Sequence, residues 1–257
     1  MRNWTTLGGI VFGLAVFKVL IGPLPLLAAD GPPALERFLL KASSATVSDL
    51  LVTQEIVLTD PGGSGQKALG EQRLYLKPPV RRRIEITVEG ERIVRLVNGS
   101  RLVIQRDGKS YEASSAERLR DSRDLTLPFQ RSARELLAQW QSYGVRTDLV
   151  REAEYAGRRV TVFGASRDDS SAPTVWLDPD LGVVRLIVRE ETPVGPKRVE
   201  LSFSDFRPLI GEMSYPYRQE TLLEGKPFIT TTVKSIRMNS GLADDLFDPD
   251  RLLRESR

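Results

Sequence analysis

Apolar residues recur along this chain in two periods, and the changes of period divide it into elements. Leu35, Phe38, Leu39 and Ala42 fall on one face of a 3.6-residue helix that Pro32-Pro33 opens. From Val47 the period shortens to two, with Leu50, Val52 and Ile56 alternating with Leu51, Thr53 and Glu55. Asp60-Pro61-Gly62-Gly63-Ser64-Gly65 ends that strand as a loop. Further strands are predicted near 70–77, 82–89, 91–97, 101–105 and 109–113. Glu89-Gly90, Asn98-Gly99 and Asp107-Gly108 mark their turns, because such dipeptides supply the positive φ of tight hairpins. Helical spacing returns after Ser132, where Ala133, Leu136, Leu137, Trp140 and Tyr143 form a stripe. A second strand series follows near 147–153, 157–164, 173–178, 182–190, 197–206, 214–222 and 227–238. Asn239-Ser240 then stand where they would cap a last short helix carrying Leu242, Leu246 and Phe247.

The order is helix, five or six strands, helix, six or seven strands, short helix. Hairpin-length connections predict one antiparallel sheet and exclude alternating βαβ units. The fold class is mainly β (α+β), with about 11 strands. A sheet that wide curls, and the amphipathic helices cover its apolar face. The faces needing cover are Ile84/Ile86/Val88, Val184/Leu186/Val188 and Val199/Leu201/Phe203, together with Leu136/Leu137/Trp140 on the helix. No boundary divides residues 30–257, which are expected to form a single domain.

Residues 1–29 differ from the rest. Arg2 is followed by an apolar run from Leu7 to Leu27 that only Lys18 interrupts, and Leu27-Ala28-Ala29 resembles a signal-peptidase site. The segment reads as a cleaved secretory signal, with an uncleaved membrane anchor as the alternative.

Composition then narrows the chemistry. The 257 residues include no cysteine and no histidine. That removes disulfides, thiolate nucleophiles, acylated cysteine anchors, the usual base of serine and cysteine triads, and the commonest transition-metal ligand. The formal charge of +3 loses Arg2 and Lys18 with the signal, and no basic stripe dominates, so no nucleic-acid partner is expected. Gly63-Ser64-Gly65-Gln66-Lys67-Ala68 matches a loose dinucleotide fingerprint but leads into a strand, where the fingerprint needs a helix. Gly108-Lys109-Ser110 is a hairpin turn, since Val103 stands where a phosphate loop needs glycine. In Arg81-Arg82-Arg83 alternation sends Arg82 to one face and its neighbours to the other, giving a solvated strand with no single anion patch. Asp178-Pro179-Asp180 and Asp248-Pro249-Asp250 need only turn chemistry, so no metal is expected. No carboxylate pair stands out, and the chain is not expected to be an enzyme.

Several strings, taken in order, resemble the family of LolA-type lipoprotein carriers, LolB receptors and RseB-like sensors. Val52-Thr53-Gln54 resembles the family's aromatic-Thr-Gln, and Gly70 through Leu74-Tyr75-Leu76-Lys77-Pro78-Pro79 its strand ending in Lys-Arg-Pro. The hairpin from Arg95 to Ile104 around Asn98-Gly99-Ser100, and Asn239 through Phe247-Asp248-Pro249, resemble its middle and closing segments. The similarity spans nearly all of 33–252. It implies an incomplete antiparallel barrel closed by helices over an apolar cavity that binds acyl chains. The family's lid-latching arginine is matched by Pro78, with Arg81, Arg82 or Arg83 available to substitute, and its inward tryptophan by Ile84.

The resemblance implies a periplasmic carrier without cofactor. Its partners would be lipoproteins or lipids, an inner-membrane donor and an outer-membrane acceptor, with the chain itself a monomer. Ile84, Ile86, Leu96, Trp140, Leu186 and Phe203 are expected in the cavity. The lid helices near 33–42 and 132–143 would present Leu35, Phe38, Leu39, Leu136 and Leu137. An envelope-stress sensor or adaptor on the same fold, and a structural envelope protein, are the alternatives.

Overall fold

The computed structural model describes residues 32–43, 46–60, 67–114, 129, 131–166, 169, 172–192 and 195–255. The expected signal at 1–29 and the glycine-rich loop at 61–66 lie outside them. Among the described residues, thirteen strands form one antiparallel sheet, two more than the sequence predicted. After helix α1 (Pro33–Ser43) comes a six-stranded meander: β1 (Leu50–Thr59), β2 (Lys67–Lys77), β3 (Arg81–Val88), β4 (Glu91–Asn98), β5 (Arg101–Arg106) and β6 (Lys109–Glu112). Helix α2 (Ala133–Ser142) precedes a seven-stranded one: β7 (Val150–Tyr155), β8 (Arg158–Phe163), β9 (Thr174–Asp178), β10 (Gly182–Thr192), β11 (Gly195–Ile210), β12 (Met213–Leu223) and β13 (Lys226–Met238). A 3₁₀ turn (Asp244–Phe247) and helix α3 (Pro249–Arg254) follow.

The strand order is β6-β5-β4-β3-β2-β1-β13-β12-β11-β10-β9-β8-β7. Each meander is therefore local, and the two join where β1 pairs with β13, Leu50 opposite Met238 and Val52 opposite Ile236. The sheet does not close, since β6 and β7 are its edges. Register shifts at Thr53/Gln54, Val183/Arg185, Pro208/Ile210 and Thr221/Leu222 bend the strands that carry them. The hairpin turns form as expected, with Glu89 and Gly90 at φ 50° and 86°, and Asp107 and Gly108 at 52° and 72°.

The main core lies on the face covered by α1 and α2. It joins Leu50, Val52 and Leu74 to Phe163, Leu177, Leu186, Val188, Phe203 and Tyr215, capped by Leu35, Phe38, Leu136 and Trp140. The opposite face carries two satellites. Val94, Leu96 and Val103 pack under Leu252 of α3, and Val160, Val162 and Val184 pack with Tyr155 and Trp176. Val184 was expected to share a face with Leu186. The register shift at Val183/Arg185 absorbs a residue, so Val183 joins Leu186 in the main core and Val184 turns outward.

The C-terminal segment is strapped across β3–β6. Lys77 and Arg81 donate to Asp244 at 2.6 and 2.7 Å, Arg83 to the Leu246 carbonyl, Asn98 to the Phe247 carbonyl and Ser110 to the Leu252 carbonyl. The helix cap predicted at Asn239-Ser240 belongs instead to Asp248, whose side chain accepts from Asp250 N with Pro249 at the first helical position. Asn239 and Ser240 are engaged elsewhere. Asn239 accepts from Ser48 N, and Ser240 donates to Asp49.

Candidate functional site

Two short helices cover the apolar face, and their sequences explain how each is held. Helix α1 carries Glu36 in its first turn and Lys41 in its last, both favourable to the helix dipole, and buries Leu35, Phe38 and Ala42. Leu39 packs half-buried against the same core. Arg37 and Lys41 both donate to Asp180 Oδ1 at 2.7 Å, which ties the helix to the β9–β10 turn. The bond from Lys41 holds the Asp180 carboxyl below its ordinary range, against the opposing effect of burial. Asp178 in the same turn accepts from the backbone N–H groups of Asp180 and Leu181, as turn chemistry predicts.

Helix α2 begins in a capping box. Glu135 N donates to Ser132 Oγ at 3.3 Å, and Ser132 N donates to Glu135 Oε2 at 2.7 Å. The Ser132 backbone N–H keeps the Glu135 carboxyl ionised to lower pH than usual. Leu136 and Trp140 are buried and Leu137 packs beside them. The Trp140 ring meets Phe163 of β8 with centroids 5.0 Å apart, tilted by 59°. Its Nε1 is buried with no hydrogen-bond partner among the described residues. Such a group costs about 1–3 kcal/mol, and here it sits at the centre of the covering helix.

Beside this closed core lies a pocket of about 410 Å³ between α2 and the β2–β4 end of the sheet. Leu76, Pro79, Val80, Val97 and Ala138 give it apolar walls, while Arg82, Arg131, Glu135 and Gln139 contribute polar groups. Registry explains the floor: Leu76 pairs with Arg82, and Arg82 with Val97, so all three share the helix-covered face. Arg82 is only 9% exposed. The sequence expectation of a solvated arginine strand is thus corrected: alternation separates Arg82 from its neighbours as predicted, but it points into the protein. Arg81 and Arg83 go to the C-terminal strap, so of the three candidates for a latch only Arg82 lies beneath a covering helix.

The residues expected to line a cavity divide. Trp140, Leu186 and Phe203 come together in the main core, and Ile84 packs half-buried against it. Ile86 is half-buried in none of the core clusters. Leu96 lies on the opposite face under α3, because Arg83 is its partner across the hairpin and Ile84 pairs with Arg95. None of the six is among the pocket's wall residues named above. Sequence reasoning missed Arg131, Glu135, Ala138 and Gln139. Their signal was helical spacing on the flank of the stripe already identified, read as a solvated edge. Among the described residues no group of three or more carboxylates converges on a point where a metal could be held. No described helix is long and apolar enough to cross a membrane.

No protein-family model matches the chain, and no curated protein matches it. Solved structures do. A domain from Vibrio parahaemolyticus named for outer membrane lipoprotein sorting superposes with a TM-score of 0.56 at 14% identity, covering 86% of this chain and 98% of that one. A LolA superfamily protein from Nitrosomonas europaea gives 0.52 at 14% identity, over 85% and 97% of the two chains. A DUF1329 family protein from Desulfovibrio piger gives 0.55 at 13% identity, over 85% and 97%. The fold is therefore LolA-like over nearly the full length of each of these proteins.

Proposed function

We propose that this chain is a periplasmic carrier that takes the acyl chains of lipoproteins, or another lipid, onto the helix-covered face of its sheet and moves them towards the outer membrane. The observation that carries the reading is the arrangement of α2. This ten-residue helix covers an apolar sheet face with two buried side chains and leaves an open pocket along its flank. A lipid site needs area more than chemistry, since each CH₂ removed from water contributes about 0.8 kcal/mol. The fold shared with a domain named for lipoprotein sorting supports the same reading. In it, residues 1–29 are the export signal. Trp140, Leu186, Phe203 and Ile84 are the surface a chain reaches once α1 and α2 shift.

The test is to produce the full chain in a bacterial periplasm, purify it without detergent, and extract it for lipid mass spectrometry. Stoichiometric phospholipid or acylated peptide is expected. A folded protein that carries no lipid, and takes up none from phospholipid vesicles or an acylated peptide, would overturn the proposal.

A further inference from the structure

The pocket beside α2 differs from the main core in one chemical respect: cations are built into its apolar wall. Arg82 rises from the middle of β3, where its cross-strand neighbours are Leu76 and Val97, and is 9% exposed. Arg131 enters from the other side, one residue before the Ser132 cap. Its Nη1 donates to Gln139 Oε1 and its Nη2 to the Glu135 carbonyl, 3.3 Å away, so the guanidinium is held in place by neutral acceptors. The one carboxylate on the pocket wall, Glu135, is engaged by Ser132 N at 2.7 Å and Ser132 Oγ at 2.8 Å in the helix cap. Two guanidiniums against one carboxylate leave the wall net positive, and burial disfavours the charged form of Arg131 enough to lower its pKa. An arginine fork in such a place matches an oxyanion.

Resting on the lipid-carrier reading, we infer that this pocket takes the head of a single-chain anionic amphiphile. Its phosphate or carboxylate would meet Arg82 and Arg131, and its chain would run against Leu76, Val97 and Ala138 towards the exposed Val80. The volume, about 410 Å³, lies in the range of small-ligand sites, which is about 300–1,000 Å³. Charge complementarity selects an anionic head over a neutral one, because a guanidinium without an oxyanion stays desolvated when a neutral head covers it.

The experiment titrates the full chain, produced in a periplasm and stripped of lipid, with four probes below their aggregation concentrations. These are 1-palmitoyl lysophosphatidic acid, palmitate, 1-monopalmitoylglycerol and inorganic phosphate. At least one anionic amphiphile should bind about ten-fold tighter than the neutral one, and which of the two binds better identifies the head. Arg131→Gln should abolish that preference while keeping the neutral affinity. Ala138→Phe, an exposed helix position that tolerates the ring, should fill the pocket and abolish the preference with both charges intact. Equal wild-type affinity for charged and neutral amphiphiles overturns the inference and leaves the carrier reading standing. Phosphate competing as well as the amphiphiles overturns it in favour of a free-anion site. Loss of charged and neutral binding alike in Arg131→Gln, with Ala138→Phe unaffected, makes Arg131 structural and also overturns it. No binding of any amphiphile overturns both proposals together.

Discussion

The ring of Phe38 lies directly on Gly182: a Cβ on that glycine would stand 2.6 Å from two of the ring carbons. Gly182 also has φ +94°, a backbone that L side chains rarely adopt. Helix α1 thus reaches the sheet at the first residue of β10, through a contact only glycine permits, a few residues from its ionic tether at Asp180.

Gly182→Ala should therefore destabilise the protein by about 2 kcal/mol or more, combining strain at positive φ with displacement of Phe38. Denaturant unfolding measures the total. Amide exchange in α1 rising more than in β1–β5 would locate the effect at the helix, and uniform exchange across the sheet would refute the assignment.

Trp140→Ala removes the largest wholly buried side chain of the covering helix, and should cost about 3–5 kcal/mol by chemical denaturation. Trp140→Phe should cost much less, because it keeps a ring against Phe163 and removes the buried N–H that has no described acceptor. Equal losses in the two variants would show that the indole N–H is in fact satisfied.

Asp49 is 1% exposed, and burial by itself raises its pKa. Hydrogen bonds from Ser240 N and Oγ at 2.8 and 2.9 Å, Gly241 N at 2.9 Å and Leu242 N at 3.3 Å outweigh burial, and hold the carboxyl below its ordinary 3.8. A depressed folded pKa means stabilisation that is complete above the unfolded value and lost as pH falls through the folded one. Asp49→Asn should cost about 1.5–3 kcal/mol at neutral pH, with the gap to wild type narrowing as pH drops below 3.8. A gap that stays constant down to pH 2 would refute the sign.

Ile84→Glu and Leu96→Ala separate the two faces of the sheet. Glutamate at 84 places a charge on the helix-covered face and should abolish lipid uptake. Leu96→Ala should cost about 2–5 kcal/mol and loosen α3, yet leave uptake by the folded fraction unchanged. Lipid loading of both variants, measured beside their unfolding midpoints, checks the pair.

Much of this fold was legible because period-2 alternation and two-residue turns are local signals. The hairpin at Glu89-Gly90 even contained the answer for Leu96. A two-residue turn pairs Val88 with Glu91, and counting back opposes Arg83 to Leu96 and Ile84 to Arg95. Alternation within each strand was read, but register between them was not counted. Val184 was illegible for a different reason: a register shift leaves no local signature in Gly182-Val183-Val184-Arg185, and it reverses the outward residue only for part of β10. Arg82 was read to the correct alternation and the wrong environment. Whether an arginine faces solvent or a pocket depends on what a helix fifty residues later lays over it. The pocket itself was hidden for that reason, since Arg131 and Ala138 meet Leu76 and Val97 only in three dimensions.

The seam between β1 and β13 sets a rule for how this chain can be made. Its central strand pair unites residues about as far apart as the described chain permits, Leu50 with Met238, while nearly every other pairing closes between consecutive strands. Both meanders can assemble locally, but each exposes an unpaired inner edge until the last strand arrives. The strand synthesised last is the keystone of the middle. A chain crossing a membrane N-terminus first would have to wait, half-built and open to aggregation, for its final thirty residues to emerge.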